Sequence, residues 1–215
     1  MMAQSTPLVI YCHGFLSSPT SAKGQSLKTW ANAHGWNFLA PDLNAPPQEA
    51  ATRIEELLDE VTRSTPERAI LLTGSSLGGF YALRAASARH LPCAVVNPCL
   101  DPWAHVPPAP CELPLFDGTR TVRIEKAFVD QLLALESAQS ASAINPEETL
   151  LFLSTADEVL DWQLAYQKLR ACEMVLAVGD NHRMQRFDRY LPALQGFFER
   201  RICARSCTIA ASRKI

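Results

Sequence analysis

The sequence predicts an α/β protein whose six-stranded parallel sheet is covered by helices on both faces. Three observations carry this expectation. Short apolar runs, rich in β-branched and aromatic residues, alternate with helix-period stretches along the whole chain. The runs are apolar throughout rather than alternating, as strands buried on both faces must be. No internal repeat or linker interrupts the alternation, and 215 residues with 47% hydrophobic content suffice for one domain with a sizeable core.

The elements follow in order. Leu8–Cys12 is the first strand and ends in His13-Gly14-Phe15. Ser17–Ser21 supplies N-cap candidates for a helix over Lys23–His34, which sets Leu27, Trp30 and Ala31 on one face and stops at Gly35. Trp36–Ala40 is the second strand, and Gln48–Ser64 an amphipathic helix with Ile54, Leu57, Leu58 and Val61 at three- and four-residue steps. Ala69–Thr73 is the third strand, followed by a helix from Phe80 to about His90, and Cys93–Asn97 is the fourth. His34 and His90 lie at helix C-termini, where a structural role explains them.

Residues 99–147 differ in character. Six prolines between Pro98 and Pro114 predict a segment that is neither helix nor strand, and Arg123–Ser137 then regains helical spacing through Ile124, Phe128, Leu132 and Leu135. An insertion here lies over the strand ends of such a sheet, as a lid or substrate cap or as an ordinary long crossover. Thr149–Ser154 is the fifth strand, Trp162–Ala171 a helix, Met174–Val178 the sixth strand and Phe187–Arg201 the closing helix. The domain thus spans 1–203, and the polar stretch 204–215 is expected to fray.

A net charge of -2 gives no reason to expect nucleic acid or an anionic membrane as partner. No run approaches the roughly 18 apolar residues of a membrane span, and Met-Met-Ala-Gln-Ser-Thr-Pro has neither a basic nor an apolar leader region, so a cytoplasmic protein is expected. Seven cysteines without a C-x-x-C pair read as reduced thiols, Cys12 among them as a packing residue. No cysteine or histidine pair has the short spacing of structural zinc, so neither metal nor cofactor is expected.

The chemistry gathers around Gly74-Ser75-Ser76-Leu77-Gly78-Gly79, a G-x-S-x-G match between a strand-like and a helix-like run. A sharp strand-to-helix turn demands residues without bulk two before and two after the serine, and it raises the hydroxyl at the strand end. Ser76 is the candidate nucleophile, and the Leu77 amide at the helix start is a candidate oxyanion donor. A serine needs an imidazole to take its proton and a carboxylate to fix the tautomer, in the chain order Ser, acid, His. His182 follows the sixth strand in Val178-Gly-Asp-Asn-His182, whereas His105 sits in the proline-rich insertion with no strand end to fix it. Asp157, after the fifth strand, is preferred as the acid over Glu158, Asp161 and Asp180, the last being close enough to His182 to engage the local turn instead. Phe15, at the end of the adjacent first strand, offers the second oxyanion amide, while His13 braces its loop.

With these residues in place the sequence resembles the small bacterial esterases of the YqiA type within the α/β-hydrolase superfamily. The matching pieces are His13-Gly-Phe-Leu-Ser-Ser-Pro-Thr-Ser-Ala-Lys23 with Leu27 and Trp30, Gly74–Gly79, Val95-Val-Asn-Pro98, Asp157-Glu-Val-Leu-Asp161, and Asn181-His182 followed by Phe187 and Tyr190. The resemblance spans about Leu8 to Phe198 and implies an α/β-hydrolase fold, a serine esterase acting on short acyl esters or acyl-CoA thioesters, and no cofactor. Carried over, nucleophile, acid and base fall on Ser76, Asp157 and His182. The chain departs from the family at Ala156, often Gly, and at Arg183-Met184, often a small residue and an aromatic. The expected sheet order, numbering strands along the chain, is 2-1-3-4-5-6. The same trio would serve a peptidase or a carbon–carbon bond hydrolase, and a binding protein could retain the fold.

Overall fold

A computed structural model describes residues 5–137 and 144–212, with side chains as far as 204. The leader reading at Met1–Gln4, the centre of the insertion at 138–143 and the Cys207 thiol lie outside the described residues.

Apolar runs become strands buried on both sides. β1 (Leu8–Cys12) and β3 (Ile70–Ser75) are buried at every position, as is β7 (Thr149–Ser154). β4 (Cys93–Val96) completes the centre, while β2 (Asn37–Leu39) and β8 (Glu173–Ala177) are the half-exposed edges. The sheet is parallel with order β2-β1-β3-β4-β7-β8, the order expected from the sequence. Leu8, Ile10 and Cys12 enter one core layer and Val9 and Tyr11 the other, as the two-residue period requires.

Helices cover each face. α1 (Ala22–Ala33) buries Leu27, Trp30 and Ala31, and its Ser21 cap accepts from the Gly24 amide at 3.3 Å. α6 (Leu191–Ser212) joins it on the same face through Leu194, Phe197 and Phe198. On the other face lie α2 (Pro47–Ser64) with Ile54, Leu58 and Val61, α3 (Leu77–Arg89) with Tyr81, Ala82 and Ala85, and α5 (Trp162–Lys168) with Ala165. Each fully buried large side chain among them removes apolar area worth about 2 kcal/mol. Helix α6 runs on past 203 to Ser212.

The insertion also departs from expectation. Its proline-rich part contains a 3-10 turn at Pro102–His105 and an antiparallel hairpin, β5 (Cys111–Pro114) with β6 (Thr121–Ile124). Pro114 closes the short ladder opposite Thr121, where a missing N–H is tolerated. The Phe116 amide at the hairpin tip donates to Leu16 O at 2.9 Å, so the hairpin reaches the loop that follows β1. α4 (Ala127–Ser137) then buries Phe128, Leu132 and Leu135, and Gln131 Oε1 accepts from the Gln48 amide of α2 at 3.1 Å. No helix of the described residues is long and apolar enough to cross a membrane.

Candidate active site

Ser76 stands between β3 and α3 with φ 56° and ψ -124°. A side chain at positive φ is strained by roughly 1–3 kcal/mol, and the surroundings hold it there. Its amide donates to Val96 O at 3.1 Å, and its carbonyl accepts from Gly79 N at 2.9 Å and Cys99 N at 3.0 Å. The turn is possible because α3 starts against β1: a Cβ on Gly78 would lie 2.0 Å from Cys12 O and 2.4 Å from His13 O. A Cβ on Gly14 would lie 3.3 Å from Ser76 Cβ, so a side chain there would press on the serine.

The side chains of Asp157 and His182 meet. His182 Nδ1 donates to Asp157 Oδ2 at 2.8 Å, and the other carboxylate oxygen accepts from the Val159 and Leu160 amides at 2.9 and 2.8 Å. The Asp157 side chain is 1% exposed. Burial pushes its carboxyl upward, but the hydrogen bonds from His182, Leu160 and Val159 outweigh that and hold it below the usual carboxylate range. An ionised partner at Nδ1 leaves the lone pair of the neutral ring on Nε2.

Three further groups hold the histidine loop. The side-chain amide of Asn97 donates to His182 O and to Ser154 Oγ, both at 2.9 Å, and its oxygen accepts from the Ser154 amide at 2.7 Å. Asn97, at φ 43°, therefore ties the end of β7 to the loop after β8. Glu158 Oε2 accepts from the His182 amide at 2.9 Å. Lys23 Nζ donates to Arg183 O at 2.5 Å, and burial with the nearby Arg183 charge pulls its amine down to about 8. None of these roles follows from motif spacing; in the sequence Asn97 reads only as the end of the fourth strand.

The remaining candidates find structural partners. His13 is buried; its Nδ1 donates to Gly14 O and its Nε2 accepts from the Leu43 amide, each at 2.9 Å, so it braces the Gly14-Phe15 loop as a neutral ring. Burial lowers its pKa accordingly. Asp180 accepts from Arg186 Nε at 2.8 Å and Tyr190 OH at 3.0 Å, side chains rather than the local backbone, and leaves His182 to Asp157. His105 pairs with Asp101 at 3.2 Å. Burial pushes the Cys12 thiol up to about 12, consistent with packing, and the six described cysteines are all free.

Ser76, Leu77, Phe15 and His182 line one cavity of about 890 Å³. Its apolar lining includes Phe15, Leu77, Pro102, Val106, Phe128 and Leu132, four of these six from the insertion. Its polar lining includes Ser17, Ser18, Thr20, Ser21, Lys23 and Gln185.

A family model described as Uncharacterised protein family (UPF0227) matches residues 8–199, nearly the whole described domain. The chain belongs to UPF0227. A UPF0227 protein of Serratia proteamaculans is 23% identical over 88% of this chain and 98% of its own length. Hydrolyase ccsE of Aspergillus clavatus is 32% identical over 54% of this chain, but the chain spans only 28% of that protein's length. Among solved structures, Est1E from Butyrivibrio proteoclasticus with ferulic acid bound superposes with a TM-score of 0.71 at 16% identity, covering 94% of this UPF0227 chain and 92% of Est1E. The likeness establishes that this UPF0227 protein has the α/β-hydrolase fold.

Proposed function

We propose that this protein is a serine hydrolase that cleaves short-chain carboxylic esters or acyl-CoA thioesters through an acyl-enzyme. One observation carries the reading: the 2.8 Å Asp157–His182 hydrogen bond, on a cavity that Ser76 also lines from a strained strand-to-helix turn. Strain retained at a cavity wall, beside an oriented imidazole, is what nucleophilic catalysis requires. The name of one relative, Hydrolyase ccsE, and the fold shared with Est1E support a hydrolase reading.

Ser76 Oγ attacks the carbonyl carbon while its proton passes to His182 Nε2. The carbonyl electrons move to oxygen, and the Leu77 and Phe15 amides stabilise the oxyanion. Collapse expels the alkoxide or thiolate, which takes the proton back from His182, and leaves acyl-Ser76. Water then repeats the sequence, with His182 first accepting its proton and then returning it to Ser76 Oγ, so that a carboxylic acid departs. Asp157 orients the ring and offsets the imidazolium charge throughout. The apolar lining residues suit the acyl chain, and the polar ones suit the leaving group.

A fluorophosphonate probe tests the activated serine directly. One equivalent per chain, carried on the peptide containing Ser76 and lost in Ser76→Ala and His182→Ala, is expected; an unlabelled native protein would overturn the reading.

A further inference from the structure

The chemistry of Cys99, Asp101 and His105 is not used by the proposed reaction. These residues belong to one loop after β4, in the pattern Cys-x-Asp-x-x-x-His, and the 3-10 turn at Pro102–His105 folds the imidazole back over the carboxylate. His105 Nε2 lies 3.2 Å from Asp101 Oδ1, Cys99 Sγ lies 4.0 Å from the same oxygen, and one donor atom from each residue falls within 4.8 Å of the others. Among the described residues this is the one group of three such side chains that could converge on an ion.

The separations fit a tetrahedral ion of zinc type. Bonds of about 2.0–2.1 Å to nitrogen and oxygen and about 2.3 Å to sulfur place donor atoms roughly 3.3–3.6 Å apart at tetrahedral angles. The nitrogen–oxygen pair is already at that spacing, and the sulfur–oxygen pair needs to close by about half an ångström. The Asp101 and His105 side chains, 32% and 38% exposed, have room for that adjustment. A thiol and an imidazole beside one carboxylate select a borderline-soft divalent cation over magnesium or calcium, which take all-oxygen shells.

We propose that Cys99, Asp101 and His105 form a three-ligand site for Zn²⁺, with the fourth position open to the active-site cavity. Cys99 and His105 both line that cavity, and Cys99 N donates to Ser76 O at 3.0 Å, so the ion sits on the wall beside the candidate nucleophile. The thiol proton leaves to solvent as the sulfur–metal bond forms, and water fills the open position. The cation lies outside the Ser76, Asp157, His182 set, so the site stands whether or not the hydrolase reading holds.

The test is titration of the reduced full-length protein with Co²⁺ as a coloured zinc analogue, followed by competition with Zn²⁺. One equivalent of Co²⁺ giving tetrahedral visible bands and a near-ultraviolet thiolate band, both displaced by Zn²⁺, is expected. Cys99→Ser should remove the thiolate band, and His105→Ala and Asp101→Asn should each weaken Zn²⁺ binding at least tenfold with an unchanged circular dichroism spectrum. His105 lies on an exposed turn, which keeps that variant readable if Cys99→Ser fails to fold. A thiolate band that survives Cys99→Ser, no band at all, or Zn²⁺ affinity unaltered in His105→Ala would overturn the site.

Discussion

His182 Nδ1 and Asp157 Oδ2 are 2.8 Å apart, and the carboxylate that holds the imidazole is itself held by the Val159 and Leu160 amides. The loops after β7 and β8 are thereby joined by a charge-assisted bond, which orients the imidazole and fixes its tautomer.

Replacing Asp157 by Asn should leave the fold and reduce turnover of an activated ester by about 10⁴-fold, since the amide supports the wrong tautomer. The carboxyl is also a stability group. Its pKa is depressed in the folded chain, so its contribution is present above the unfolded value near pH 4 and lost as pH falls through the folded one. Chemical denaturation of wild type and Asp157→Asn against pH should show a gap that is full at neutrality and shrinks in acid.

Asn97→Ala removes three hydrogen bonds and leaves the Ser154 amide and the His182 carbonyl without the partner they now have. A stability loss of about 1–3 kcal/mol is expected by denaturant melting. Because the amide acts through the histidine loop, kcat should fall more than KM rises.

Lys23 gives a distinctive alkaline signature. Its amine releases its proton near pH 8 in the folded protein but only near 10.4 when unfolded. Between those values the unfolded chain holds more protons, so stability should rise with pH. In Lys23→Met that rise should be absent, as read from denaturation midpoints across the same window.

Gly78→Ala should prevent the turn from forming, because its methyl would lie 2.0 Å from the Cys12 carbonyl oxygen. Gly14→Ala is the milder change. Its new contacts of 3.2 Å to Ser75 O and 3.3 Å to Ser76 Cβ are tight rather than prohibitive, so folded protein with reduced kcat is expected from kinetics.

The sheet was legible because strands buried on both faces cannot hide: Thr149–Ser154 reads as apolar and is a strand at those same bounds. That Asp157 and His182 would lie on neighbouring loops was legible because each comes a few residues after an expected strand. Less was visible where sequence neighbours do not make the structure. The β5–β6 hairpin is four residues a side and partly proline, too short for alternation to register against the turn signals around it. The roles of Asn97, Lys23 and Gly14 come from atoms brought close by the sheet order, at separations of up to 160 residues. Helix α6 continues through small and polar residues to Ser212, without the apolar stripe by which sequence reading recognises a helix.

The most direct measurement is hydrolysis of p-nitrophenyl esters of increasing acyl length by wild type and Ser76→Ala side by side. Turnover that is greatest for short chains and falls by several orders of magnitude in the variant is expected. Near-normal turnover by Ser76→Ala would contradict the proposed reaction.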